Sequence, residues 1–168
     1  NKLEAMRGLL RSQYQLQKGS EATENAKELT ATKGSNNDDK ALASMAIGRS
    51  YQVSRQYDQA LASFKTVVQL NKAALAAEAR YEIARSWFEL NKLADAEKAA
   101  VEVINKSGSY DFWVGKAYVL LGDIYFKQKD YFNAKATYQS IVDNTIDPNL
   151  KSEAQAKLTQ VIEAESKD

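Results

Sequence analysis

The sequence predicts an all-α fold in which about four helix hairpins stack into a solenoid and a last helix caps its C-terminal end. A single proline in 168 residues, with abundant Ala, Leu, Lys, Glu and Gln, favours helix almost throughout. Residues 115–144 have the apolar spacing of two amphipathic helices joined by a tight turn. The same spacing begins at residues 3, 41 and 77, so each hairpin has a neighbour against which to bury its apolar face.

Composition excludes several classes of function. The chain has no cysteine and no histidine, so it lacks disulfides, Cys/His zinc sites, thiol nucleophiles and His-based catalytic triads. Its net charge is +1, without the basic excess typical of proteins that bind nucleic acid or membrane surfaces. No apolar run approaches the roughly 20 residues that span a bilayer. We therefore expect no nucleic-acid partner, no direct membrane insertion, no metal, no cofactor and no catalysis.

The hairpin at residues 115–144 shows how the two helices of a pair should pack. Its inner face is formed by Tyr118, Leu121, Gly122 and Tyr125 in the first helix and by Ala134, Tyr138 and Ile141 in the second. Gly122 and Ala134 are small, so the two helices can approach closely. The rings of Tyr118, Tyr125 and Tyr138 should fill the space around that contact.

The other three copies keep this chemistry to different degrees. The small position of the second helix is alanine throughout: Ala22, Ala60, Ala96 and Ala134. The small position of the first helix is Gly48, Ala84 and Gly122 in the last three copies. The first copy matches worst, because Leu10 and Gln13 replace a small residue and an aromatic one. By their spacing, the rings expected in the core are Tyr51, Phe64, Trp87 and Tyr125.

This pattern resembles the tetratricopeptide repeat family. Gly48, Tyr51, Ala60 and Phe64 are similar to the family's small–aromatic–Ala–aromatic signature, and so are Gly122, Tyr125, Ala134 and Tyr138. The resemblance covers about residues 3–144. It implies a right-handed α-solenoid of about four such hairpins plus a capping helix, in a single domain spanning residues 1–168. The expected repeats are about 3–34, 41–72, 77–106 and 111–144, with the capping helix at about 148–166.

A narrower resemblance concerns the last two copies. The segments EARYEIARSWFEL and DFWVGKAYVLLGDIYFKQKDYFNAKATYQSIVDN look like the C-terminal part of large multi-repeat proteins of Bacteroidetes bacteria. This implies a fragment of a longer chain and favours the bacterial periplasm or cell envelope. If an upstream repeat is missing, the first repeat has a partly bare apolar face, and weak self-association through it is expected.

Residues that typically begin helices occur at these boundaries. Asn and Asp residues in Ser35–Asp39 can cap the third helix, and Asp58 and Asp95 are expected to cap the second helices of their repeats. Asp147 followed by Pro148 predicts the start of the last helix. The apolar face of that helix is formed by Leu150, Ala154, Leu158, Val161 and Ile162.

The family resemblance implies that the first helices of the pairs line a concave groove. The candidate partner-binding residues are Arg7, Arg11, Tyr14, Met45, Arg49, Gln52, Tyr81, Arg85, Phe88, Asp123 and Phe126. Arg11, Arg49 and Arg85 recur at one groove position in successive repeats. Since arginine holds a carboxylate through two parallel hydrogen bonds and rings supply apolar anchors, one hypothesis is a groove for an extended or helical peptide with acidic groups.

Two other hypotheses stay open. The groove arginines can instead pair with acids on neighbouring helices, the candidates being Glu4, Glu78, Glu82 and Asp123. The chain would then act as a structural or assembly module that packs by its convex or end faces. A carrier of small molecules or glycans that uses the groove rings is the third possibility. In the first two hypotheses the chain is a non-catalytic protein–protein interaction scaffold.

Overall fold

The computed structural model describes residues 1–109 and 111–168, which form nine α-helices and no strand. The helices are α1 (Lys2–Gln15), α2 (Gly19–Ala31), α3 (Asn37–Val53), α4 (Tyr57–Leu70), α5 (Ala74–Glu89), α6 (Leu93–Lys106), α7 (Asp111–Lys127), α8 (Tyr131–Asn144) and α9 (Pro148–Lys167). The predicted all-α solenoid is confirmed.

The helices stack in two layers. Each helix packs against the one before it, and α1, α3, α5, α7 and α9 also contact one another in series. Within the described ranges, no such contact joins α2 to α4, α4 to α6 or α6 to α8. Because the odd-numbered helices are closer together than the even-numbered ones, the stack curves with the odd-numbered layer on its concave side.

Two glycines allow the close approach predicted between paired helices. A Cβ atom built on Gly48 would lie 2.6 Å from the ring of Phe64, and one built on Gly122 would overlap the ring of Tyr138. Both rings are fully buried. The four alanines of the second helices are also buried, as predicted: Ala22, Ala60, Ala96 and Ala134.

Some predicted core rings lie at the edge of the core instead. Tyr51, Trp87 and Tyr125 are only partly buried, although each packs against a core cluster. The expectation for Tyr118 was wrong: its side chain is 37% exposed. It lines an open hollow between α7, α8 and α9, whereas the ring of Tyr138 fills the space beside Gly122.

The first repeat uses a polar contact where the others use a ring. Gln13 is buried, and its side-chain oxygen accepts a hydrogen bond of 2.7 Å from the amide of Asn25 on α2. Leu10, the other deviating residue, is fully buried. The mismatches in this copy are therefore accommodated within the pair rather than exposed.

The turn inside each pair has the same backbone geometry four times. Gln17, Arg55, Asn91 and Lys129 all have a φ of 58–59°, in the left-handed region. In each turn the amide of the following residue bonds to a carbonyl five residues back, as Gln56 does to Tyr51 at 2.8 Å. This is the Schellman helix end, which glycine usually forms at the left-handed position. The sequence did not indicate it, because none of the four residues is glycine.

Helix caps were predicted with mixed success. Asn36 and Asp39 form a reciprocal capping box at the start of α3, and Asp147 caps α9 with Pro148 in the first turn. Asp58 and Asp95 were wrongly predicted as caps, since Gln56 and Lys92 are the N-caps of α4 and α6 and both aspartates lie inside the first helical turn. There they still favour the positive end of the helix dipole.

The last helix covers the end of the stack. Ala154 and Val161 of α9 are fully buried against the last pair, whereas Ile162, predicted on the same face, is exposed. Lys157 of α9 reaches Asp123 of α7 at 2.8 Å, and the hydroxyl of Tyr138 on α8 donates to the same carboxylate. One carboxylate thus joins all three helices.

Candidate functional site

A cavity of about 400 Å³ opens on the concave side of the stack. It is lined by Arg11 and Tyr14 of α1, Asp38 and Leu42 of α3, Asn71 of the α4–α5 linker, Ala74, Leu75 and Glu78 of α5, and Trp113 of α7. A neighbouring hollow of about 260 Å³ shares Arg11, Asp38 and Leu42. We call the larger hollow, of about 400 Å³, the concave cavity. The concave cavity combines residues from all four repeats, which are far apart in sequence.

Arg49, one of the three arginines predicted at the same groove position of successive repeats, is held by an acid. Its Nη1 donates to Glu82 Oε1 at 2.9 Å, and Gln52 donates to the other oxygen of Glu82 at 2.6 Å. Glu82 is 2% exposed, so these bonds satisfy a buried carboxylate. Arg85 is half-exposed and lies 3.9 Å from the same carboxylate. Arg49 therefore serves the packing of α3 against α5, and Arg85 is only loosely held.

Arg11 differs from Arg49 and Arg85 because it has no acidic partner among the described residues. Its side chain is exposed at the junction of the two hollows. No carboxylate in residues 1–109 or 111–168 lies within 4.0 Å of its guanidinium, and no hydrogen bond to it is found there. Its donors are therefore open to a ligand.

Arg7 has a structural contact instead. Its guanidinium donates to both oxygens of Asp39, at 2.5 and 2.8 Å, and also to Glu4. Asp39 is buried and is part of the capping box of α3. The bonds from Arg7 hold the pKa of the Asp39 carboxyl below its usual value. This pair fixes α1 against the start of α3.

Glu78 is the unusual acid of the concave cavity. It is partly buried and makes no hydrogen bond or ion pair with the described part of the chain. Burial, and next the charge of Glu82 one turn away, raise the pKa of Glu78 to about 7. Burial, and next the charge of Glu78, also raise the pKa of Tyr14 to about 12. At neutral pH the cavity is therefore lined by a carboxyl that is only partly ionised and by the charged guanidinium of Arg11.

Trp113, which lines the cavity, belongs to a group of neighbouring aromatic side chains. The ring centroids of Tyr81 and Trp113 are 5.6 Å apart, and Phe112 meets Trp113 edge-on at 4.8 Å. Lys116 lies over the rings of Tyr81 and Phe112. Sequence analysis missed Trp113, because it precedes the groove positions that were considered. Two adjacent aromatic residues, Phe112 and Trp113, at the start of a first helix were the available signal.

The remaining predicted groove residues are already engaged. Met45 is fully buried in the core, so its inclusion as a groove contact was wrong. Lys127 lies 4.8 Å from the ring centre of Phe88, and Phe126 packs near Tyr131. Asp123 is held by Lys157, as described above.

The repeats match a known family in sequence. Two family models, both described as "Tetratricopeptide repeat", match residues 45–111 and 116–144, which together make up more than half of the chain. The chain belongs to the tetratricopeptide repeat family. A search of curated proteins found no match.

Solved structures share the same tetratricopeptide repeat architecture. BtubC (BKLC) from P. vanneervenii has a TM-score of 0.78 at 16% identity, over 97% of this chain and 72% of that one. A putative kinesin light chain with TPR-like repeats from P. anserina has a TM-score of 0.73 at 16% identity, over 99% and 88%. The MamA protein has a TM-score of 0.64 at 18% identity, over 98% and 92%. At these identities the likeness concerns the fold.

Neither a metal-binding cluster nor a membrane-spanning helix is found in the described parts of this tetratricopeptide repeat chain. In the ranges that the structure describes, no group of three or more His, Cys, Asp or Glu side chains could hold a metal ion. None of the described helices is long and apolar enough to cross a bilayer. Tetratricopeptide repeats generally mediate protein–protein interaction, so the chain is a protein-interaction scaffold of that general kind.

Proposed function

We propose that this scaffold binds a segment of a partner protein in the concave cavity, with an acidic group of the segment on Arg11. The observation that carries the proposal is the open guanidinium of Arg11 at the edge of a hollow whose lining is part polar and part apolar. Arginine binds a carboxylate with two parallel hydrogen bonds, and such charge-assisted bonds are the stronger kind.

The rest of the cavity supports an apolar side chain beside that acidic group. Leu42, Leu75 and Trp113 line it, and a volume of about 400 Å³ accommodates a few side chains rather than a folded domain. A tryptophan within reach of a bound segment is the kind of residue that dominates binding energies. Arg85, half-exposed and loosely held, supplies a second positive charge on the same face.

Only some of the groove arginines can be substituted to test binding without also disturbing the fold. Arg49 supports a buried carboxylate, so its substitution would disturb folding as well as binding. Arg11 has no such role among the described residues, and Arg11→Glu should leave the fold intact. Arg55 provides a matched control, because it is an exposed arginine in the turn between α3 and α4 and lies outside the cavity.

The test is a selection of peptides from a phage-displayed library of random linear sequences. We expect selected peptides with acidic and apolar residues, which shift the indole NMR signal of Trp113. Arg11→Glu should weaken their binding by about tenfold or more, and Arg55→Glu should leave it unchanged, with both folds checked by circular dichroism. Peptides that shift Trp113 and bind Arg11→Glu as tightly as wild type would contradict the role of Arg11.

A further inference from the structure

A second hollow lies on the outer side of the stack, between α4 and α6. Both helices pack against α5, and no contact joins them to each other in the described parts of the chain. The space left above α5 is a cavity of about 420 Å³. We call it the outer groove. Its floor includes Arg80, Ile83 and Trp87, whose spacing of three and four residues covers two helical turns, or about 10 Å.

The outer groove is lined by more cations than acids. Lys65 of α4, Arg80 of α5 and Lys98 of α6 line it, while Glu102 on its wall is already held by Lys106 at 2.7 Å. That leaves Asp95 as the free acid among its lining residues. The excess of cations favours an acidic ligand.

Arg80 has a buried donor atom that no described residue satisfies. Its Nη1 donates to Ser107 Oγ at 3.0 Å, but its Nε is buried without a hydrogen-bond partner. No carboxylate in residues 1–109 or 111–168 lies within ion-pair distance of its guanidinium. A partly buried guanidinium without an acid is costly, and a carboxylate from outside the chain would relieve that cost.

The apolar part of the groove narrows the choice of ligand. Trp87 is half-buried with Lys65 over its ring, 5.6 Å from the centre, and Ile83 lies one turn away. A floor of two turns between two helices suits a third helix, whose side chains recur every three to four residues. A small anion would use the cations and leave the apolar floor exposed to water.

The arginine on the floor of the outer groove occurs at this place in the stack and not at the equivalent position of the other repeats. The residues that correspond to Arg80 in the other repeats are Met6, Ser44 and Tyr118, and none of them is charged. We propose that the outer groove docks an acidic amphipathic helix of a partner protein, with carboxylates on Arg80 and Lys98 and apolar side chains on Ile83 and Trp87. This surface is separate from the concave cavity and does not depend on ligand binding there.

The two tryptophans of the chain make the two surfaces distinguishable. Trp87 lines the outer groove and Trp113 lines the concave cavity. Peptides from the same random library can therefore be sorted by which indole NMR signal they shift. We expect one class that shifts Trp87, carries net negative charge and becomes helical on binding. Lys98→Glu should weaken that class by about tenfold, as should Lys65→Glu.

The matched control is Lys27→Glu, an exposed lysine of α2 outside the groove, which should leave affinity unchanged. Several results would overturn the proposal. One is a selection in which no peptide shifts Trp87. Another is a Trp87 class that is not acidic, or that binds the Lys98 and Lys65 variants at full strength. Self-association that shifts Trp87 without peptide would assign the groove to a second copy of the chain instead. None of these results bears on Trp113, so the proposed function is tested separately.

Discussion

Among single residues, Glu78 should make the stability of the fold depend on pH. Burial, with the nearby Glu82, raises its pKa from 4.5 to about 7. The folded chain thus holds this proton more tightly than the unfolded chain, so the residue's contribution to the free energy of unfolding falls as pH rises from about 4.5 to about 7. Above about pH 7 we expect Glu78→Gln to be more stable than wild type by about 1–3 kcal/mol. Below about pH 4.5 the two proteins should be equally stable.

Urea unfolding of wild type and Glu78→Gln at about pH 4 and about pH 8 measures this difference. A stability difference of the same size at both values would show that the carboxyl does not titrate in this range.

Gly122 is the residue at which a single methyl group should matter most. Because a Cβ atom there would overlap the buried ring of Tyr138, Gly122→Ala should lower the free energy of unfolding by about 1–3 kcal/mol. Gly8 is a matched control, since it lies within α1 and a Cβ atom there meets nothing within 4 Å. Gly8→Ala should raise stability by about 0.5–1 kcal/mol. Thermal unfolding of both variants tests the pair, and a stabilised Gly122→Ala would mean that α7 and α8 are not so close.

At the scale of elements, the four left-handed turns are a shared source of strain. Arg55, two residues after the end of α3, has a φ of 58°, a conformation that costs a side-chain-bearing residue about 1–2 kcal/mol. Arg55→Gly should therefore stabilise the chain by about 0.5–1 kcal/mol after the entropy of glycine in the unfolded state is counted.

The neighbouring Ser54 has a φ of −83° and gains nothing from glycine, so Ser54→Gly should be neutral or destabilising. Chemical unfolding of the two variants gives the comparison. If both changes destabilise the chain equally, glycine at position 55 relieves no backbone strain in the turn.

At the scale of the whole molecule, the N-terminal end of the stack has an uncovered apolar strip. Leu9 and Leu16 lie two turns apart on α1 and its end, and they are 50% and 65% exposed. Weak self-association through α1 stays a prediction on this ground. Light scattering over a range of concentrations should detect it in wild type and not in Leu9→Glu, whereas Val101→Glu, a change at an exposed valine on α6, should behave as wild type. A strictly monomeric wild type at high concentration would contradict it.

Prediction from sequence succeeded where the determinant is local. The spacing of apolar residues along each helix, and of small residues between paired helices, predicted the helical pairs and the contacts of Gly48 and Gly122. The Schellman turns were missed because Arg55 and Lys129 do not prefer the left-handed region. The packing of the adjoining helices imposes that conformation on them.

The sequence predicted which helix faces form the candidate site, but not the contacts between those helices. Sequence periodicity placed Arg11 and Arg49 at the same repeat position on the same face, since one helix fixes where its own side chains point. Whether an acid lies within reach depends on the offset between helices whose residues are more than thirty positions apart, as Arg49 and Glu82 are. Helix content, pairing and family were thus determined by the sequence itself. Only the tertiary structure decided that Arg49 is held by Glu82 while Arg11 stays open, because the distance between stacked repeats is set by packing and not by local spacing.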